Sequence, residues 1–236
     1  MRKDGMRLSA LAAVLAAGIG GGVLAQDAEA PAEPFAAVIA AFREADRAAM
    51  PPRCATLFAG SSSFRLWSTL AEDLAPRTVI NRGFGGSQMA ELNLYFDDIV
   101  APYAPREILV YEGDNDLWLG VTPETLAAQV AAFMEMKTEA LGATPVYFVS
   151  IKPSKLRFDQ LAAQARANAL VAEMAEARDD LVFVDVATPM LDEDGRPKDI
   201  FILDGLHMTA EGYAIWTPII RAALDEGAPT SAPGCD

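Results

Sequence analysis

From residue 55 onward the chain alternates two hydrophobic rhythms. Short apolar, β-branched or aromatic runs at 55–59, 78–81, 107–111, 145–151 and 181–186 read as strands. The longer stretches 123–141, 159–178 and 209–224 repeat their apolar residues at helical spacing, and another helical pattern at 35–50 stops at the breaker Pro51-Pro52-Arg53. Strands that alternate with helices need crossover connections, which implies a mainly parallel sheet covered on both faces. The pattern therefore predicts an α/β fold, a three-layer α/β/α sandwich around a mainly parallel five-stranded sheet.

Such a sheet binds ligands outside the carboxyl ends of its strands. Four unusual segments fall there: Gly-Ser-Ser-Ser at 60–63, Arg-Gly-Phe-Gly-Gly-Ser at 82–87, Glu-Gly-Asp-Asn-Asp-Leu-Trp at 112–118 and Ile-Lys-Pro-Ser-Lys at 151–155. All four are expected to face one crevice.

Length and composition modify this picture at the two ends of the chain. The 236 residues suit one domain with a full core. The first 25 residues differ from the rest: Arg2, Lys3 and Arg7 precede an apolar stretch rich in Ala, Leu and Gly that ends in small residues, the layout of a secretory signal peptide. Cleavage is expected after Ala25, with a second site after Ala30; an uncleaved membrane anchor is the alternative. Residues 26–53 then form a linker and an N-terminal helix, residues 54–225 the main domain, and residues 226–236 a tail that is poorly ordered unless Cys235 ties it down. Once exported, the protein is expected to be periplasmic or extracellular, without stable membrane insertion. The net charge of −14, more negative still without the basic leader, repels phosphate backbones and anionic lipid and argues against nucleic acid as a partner. Oligomeric state is left open. The two cysteines would lie in an oxidising compartment. Cys54 opens the first strand and Cys235 follows the last helix, places that can meet at the sheet end opposite the strand carboxyl termini, so the two either form a Cys54–Cys235 disulfide or remain unpaired thiols, one of them in a frayed tail.

Candidate chemistry centres on His207, the one histidine in the chain. Asp204 stands three residues before it in a glycine-containing turn, close enough for a carboxylate to fold back on the imidazole, fix its tautomer and stabilise its charged form. Gly85 and Gly86 offer unhindered backbone N–H groups, and Asn115 offers a side-chain amide, as donors for a developing oxyanion. Taken singly, the glycine segment also reads as a tight turn and the Asp-Asn-Asp segment as an Asx loop. The Gly-x-Gly-Gly spacing does not fit a dinucleotide fingerprint. One histidine and two distant cysteines do not make a zinc site. Asp192 to Gly195 lacks the closing bidentate acid of a calcium loop and reads as a turn.

Taken together, "FAGSSS" at 58–63, "NRGFGGS" at 81–87, "GDND" at 113–116 and "DGLH" at 204–207 resemble, in order and spacing, the four blocks of the SGNH hydrolases, the GDSL esterase/lipase family. The resemblance implies a flavodoxin-like sandwich and a serine ester hydrolase that needs no cofactor or metal. It makes Ser62 the nucleophile, Asp204 and His207 the rest of the triad, and the Ser62 N–H, Gly86 N–H and Asn115 amide the oxyanion hole. Ser61 stands where the family has an aspartate, while "GSSSFRLW", "INRGFGG" and "SIKPS" look like a subgroup in which Gly-Ser-Ser-Ser is normal. The implied partner is a small ester, with an acetyl or short acyl chain. Thioester, lysophospholipid and glycan-acetate substrates use the same machinery, and a non-catalytic saccharide- or lipid-binding module is the rival from another class. Lys152, Ser154 and Arg157 are expected in a solvated surface loop, contact with a leaving group being the alternative, and Trp67 and Trp118 either in the core or along the crevice.

Overall fold

The computed structural model describes residues 34–235. Five strands, β1 (Thr56–Gly60), β2 (Val79–Gly83), β3 (Glu107–Tyr111), β4 (Val146–Val149) and β5 (Leu181–Val184), pair entirely in parallel in the order β2-β1-β3-β4-β5. The chain thus reverses direction across the sheet at β1 and β3, and the ends of these two strands open the crevice that this topology provides.

The central strands β1, β3 and β4 are buried on both faces. The α-helices of the described residues are, in chain order, α1 (Ala36–Ala48), α2 (Ser62–Arg65), α3 (Leu70–Asp73), α4 (Met89–Leu94), α5 (Phe96–Ile99), α6 (Asp114–Trp118), α7 (Pro123–Leu141), α8 (Leu161–Glu176) and α9 (Ala210–Glu226). From one face of the sheet Leu57, Ala59, Ile108, Val110 and Phe148 pack against α1, α7 and α8. From the other, Phe58, Leu109, Tyr111, Tyr147 and Val149 meet Tyr213, Trp216 and Ile220 of α9 (Ala210–Glu226). Alternate residues of each strand therefore enter different cores, which is why the strands read as continuous apolar runs.

Local chemistry sets the limits of these elements. Helix α7 starts on Thr122, whose hydroxyl accepts the Thr125 N–H at 3.2 Å, with Pro123 in the first turn where its missing N–H costs nothing. The run at 145–151 is longer than the strand it forms. At Ser150 the side chain takes over, its Oγ accepting the N–H groups of Val186 and Ala187 at 3.0 Å each, so β4 and β5 end together. Likewise the helical pattern at 159–178 yields α8 only from Leu161, after a 3₁₀ turn at Phe158–Gln160.

Cys54 and Cys235 are joined by a disulfide, with Cα atoms 5.4 Å apart, at the amino end of β1. The expected leader and both of its cleavage sites lie outside the described residues. Among the described residues no helix is long and apolar enough to cross a membrane.

Candidate active site

Strand β1 ends in a backbone turn that only glycine fits well. Gly60 has φ +142°, and a Cβ there would lie 2.2 Å from the Tyr111 carbonyl oxygen on β3. The chain then turns directly into the one-turn helix α2 (Ser62–Arg65). Of the three serines, Ser61 and Ser63 are buried, and Ser63 is further held because its carbonyl accepts the Tyr213 hydroxyl at 2.8 Å. Ser62 is half-buried, and its Oγ lies 2.9 Å from His207 Nε2. At the first position of a helix its N–H has no carbonyl of a preceding turn to bond and is free to point outward.

His207 comes from the loop before α9. Its Nδ1 lies 2.6 Å from Asp204 Oδ2, while Asp204 Oδ1 accepts the backbone N–H groups of Leu206 and His207, both at 2.9 Å. Gly205, at φ +66°, makes the turn that lets a carboxylate reach a ring three residues on. Partial desolvation would raise the Asp204 pKa, but the His207 ring and the two N–H donors outweigh it and hold the carboxyl at about 2. The aspartate is ionised at any working pH, so it favours the tautomer that leaves Nε2 free to accept a proton from Ser62.

The glycine segment follows β2. Gly86 sits at φ +93°, and a Cβ built there would meet nothing nearer than the Phe35 ring at 3.8 Å, so its constraint is backbone conformation rather than space. Asn115, in α6 (Asp114–Trp118), donates from Nδ2 to the Ser87 carbonyl at 2.9 Å, which joins the second and third segments and leaves its other N–H available. Behind this loop, Asp116 accepts the N–H groups of Met89 at 2.8 Å and Gly113 at 2.9 Å; burial still outweighs both bonds and raises its pKa to about 6.

The fourth segment is not a solvated surface loop. Lys152, Ser154 and Arg157 are all buried. Arg157 donates to Asp114 at 2.8 Å and to Asn115 Oδ1 at 3.1 Å, and Lys152 donates to the other Asp114 oxygen at 3.0 Å. Burial opposes ionisation of Asp114, yet the two adjacent cations keep its pKa below the ordinary carboxylate value. Sequence reasoning missed this network. The signal was the pair of cations directly after an apolar strand, where an unpaired charge cannot be buried. Trp67 belongs to the core, stacked on Tyr213 at 5.1 Å, whereas Trp118 is about half exposed and lies against the Arg157 guanidinium.

No curated protein matches the chain. Solved structures share its fold at low identity. A protein from Streptococcus pneumoniae superposes with a TM-score of 0.70 at 22% identity, covering 79% of this chain and 90% of its own. A GDSL-like lipase from Bacteroides thetaiotaomicron gives 0.68 at 21%, covering 80% and 97%. An acetyl-xylooligosaccharide esterase from Geobacillus gives 0.59 at 13%, covering 72% and 93%. The family model described as GDSL-like Lipase/Acylhydrolase matches residues 54–215, a span that holds all four segments, and the chain belongs to that family.

Proposed function

We propose that the protein is an exported serine ester hydrolase that cleaves small acyl esters. The observation that carries this reading is the continuous hydrogen-bonded chain from Ser62 Oγ to His207 Nε2, at 2.9 Å, and from His207 Nδ1 to Asp204, at 2.6 Å. In the proposed reaction His207 takes the Ser62 proton as Oγ attacks the ester carbonyl. The Ser62 and Gly86 N–H groups and the Asn115 amide stabilise the tetrahedral oxyanion. His207 then returns the proton to the departing alkoxide as the ester C–O bond breaks, and water hydrolyses the acyl-enzyme by the same route. No step needs a cofactor or metal. The leader-like first 25 residues and the cysteine pair support export. Because one structural neighbour is an acetyl-xylooligosaccharide esterase, acetylated sugar is the second substrate class to test.

The test is hydrolysis of p-nitrophenyl acetate, butyrate and octanoate by the wild-type protein beside Ser61→Ala, Ser62→Ala and Ser63→Ala. The expected outcome is turnover that falls by several orders of magnitude in Ser62→Ala alone. Equal activity in Ser62→Ala and the wild type overturns the reading.

A further inference from the structure

An asparagine amide can serve an oxyanion only if its NH₂ end faces the substrate, and the two ends are nearly equal in size. Two contacts select the end of Asn115. Arg157 Nη2, which can only donate, lies 3.1 Å from Oδ1; the Ser87 carbonyl, which can only accept, lies 2.9 Å from Nδ2. A flipped amide would set donor against donor on one side and acceptor against acceptor on the other.

Arg157 is itself held by two contacts, one of them anchored by a second cation. Asp114 binds its Nη1 at 2.8 Å, the Trp118 ring lies 5.2 Å from its Cζ, and Lys152 holds the second Asp114 oxygen at 3.0 Å. The three charged side chains are 1% to 7% exposed. Two cations and one carboxylate leave one net positive charge, buried and a single hydrogen bond behind the amide. In such surroundings a charged donor on Oδ1 polarises the amide and strengthens its N–H groups as donors.

We infer that Arg157 is a positioning residue for the oxyanion hole, orienting and polarising the Asn115 amide; the inference rests on the esterase reading. It separates Arg157 from an ordinary structural ion pair, which would hold the loop after β4 against α6 without affecting the chemical step.

The experiment is a double-mutant cycle read as kcat and KM on p-nitrophenyl acetate, with thermal unfolding of each variant as the folding control. Arg157→Met is expected to lower kcat about 10- to 100-fold with KM nearly unchanged, since the interaction matters in the transition state. Arg157→Lys restores part of the loss, because the charge returns but its reach to Oδ1 does not. In an Asn115→Ala background Arg157→Met adds less than about a twofold loss, there being no amide left to orient. A folded Arg157→Met protein with wild-type kcat overturns the inference, and so does a loss that multiplies in full with that of Asn115→Ala. If Arg157→Met does not fold, Arg157→Lys carries the same cycle. Ser62→Ala in the same panel keeps the two ideas apart. If that variant remains active, the esterase reading fails; if it is dead while Arg157→Met matches wild type, only the role of Arg157 fails.

Discussion

Glu112 is fully buried directly after β3, behind the glycine loop. Its Oε1 lies 2.5 Å from Ser87 Oγ, which also lies 2.9 Å from the Phe84 carbonyl. A serine hydroxyl has one proton to give, so both contacts are hydrogen bonds only when Glu112 is protonated and donates to Oγ while Ser87 donates to Phe84. Burial points the same way: it raises the Glu112 pKa well above the ordinary value, and the nearby Asp116 carboxylate adds to the effect. The sign of the pH dependence follows. The folded chain keeps this proton, and that of Asp116 up to about pH 6, while the unfolded chain releases both near pH 4 to 4.5. Their contribution is fully present below that range and is lost as pH rises towards the folded pKa values. Glu112→Gln replaces a neutral acid with a neutral amide of the same shape. Its unfolding temperature, measured against wild type, is therefore expected to improve steadily from pH 4.5 to pH 8. A difference independent of pH means that Glu112 is ionised in the folded protein.

At the scale of elements, the site depends on how abruptly strands become loops. Gly60 ends β1, and α2 begins two residues later, a turn that presents Ser62 at the sheet edge. Gly60→Ala would drive its Cβ into the Tyr111 carbonyl on a neighbouring strand that cannot yield, in a backbone region that alanine rarely adopts. A loss of roughly 3 kcal/mol in urea unfolding is expected; a change below about 1 kcal/mol would show that β1 shifts to make room. The five strands and the long helices α7, α8 and α9 were legible in the sequence because burial on both sheet faces and helical periodicity leave strong patterns. The loops that carry Gly86, Asn115, Asp204 and His207 were legible as polar turns after apolar runs, whereas Ser62 was singled out from its two serine neighbours only by the family resemblance. The short helices, such as α2 and α6, were not legible, because one turn holds no period. Nor was the burial of Lys152 and Arg157 apparent. Their environment depends on Asp114 and Asn115, some forty residues away in sequence, and is created only when β3 and β4 pair.

Across the whole molecule the two ends of the sheet carry different tasks. The proposed catalytic groups stand beyond the carboxyl end of β1, while the Cys54–Cys235 disulfide lies before its amino end, with the tail packed there; Pro233 Cγ lies 3.3 Å from where a Cβ on Gly142 would be. The tail is thus tied down, and Cys235 and Ala232 are buried. A crosslink 181 residues long removes much of the unfolded chain's freedom, with a chain-entropy ceiling of about 5 kcal/mol. Its effect falls on the unfolded state rather than on the site, which β1 and its neighbours separate from it. Reduction with dithiothreitol, or Cys54→Ser with Cys235→Ser, is therefore expected to lower the urea midpoint markedly. Hydrolysis of p-nitrophenyl acetate without denaturant should stay within about twofold of the oxidised protein, as expected for a crosslink that acts through the unfolded chain. If activity collapses on reduction while circular dichroism still reports a native fold, the amino end of the sheet is coupled to the reactive end, and the division of tasks is wrong.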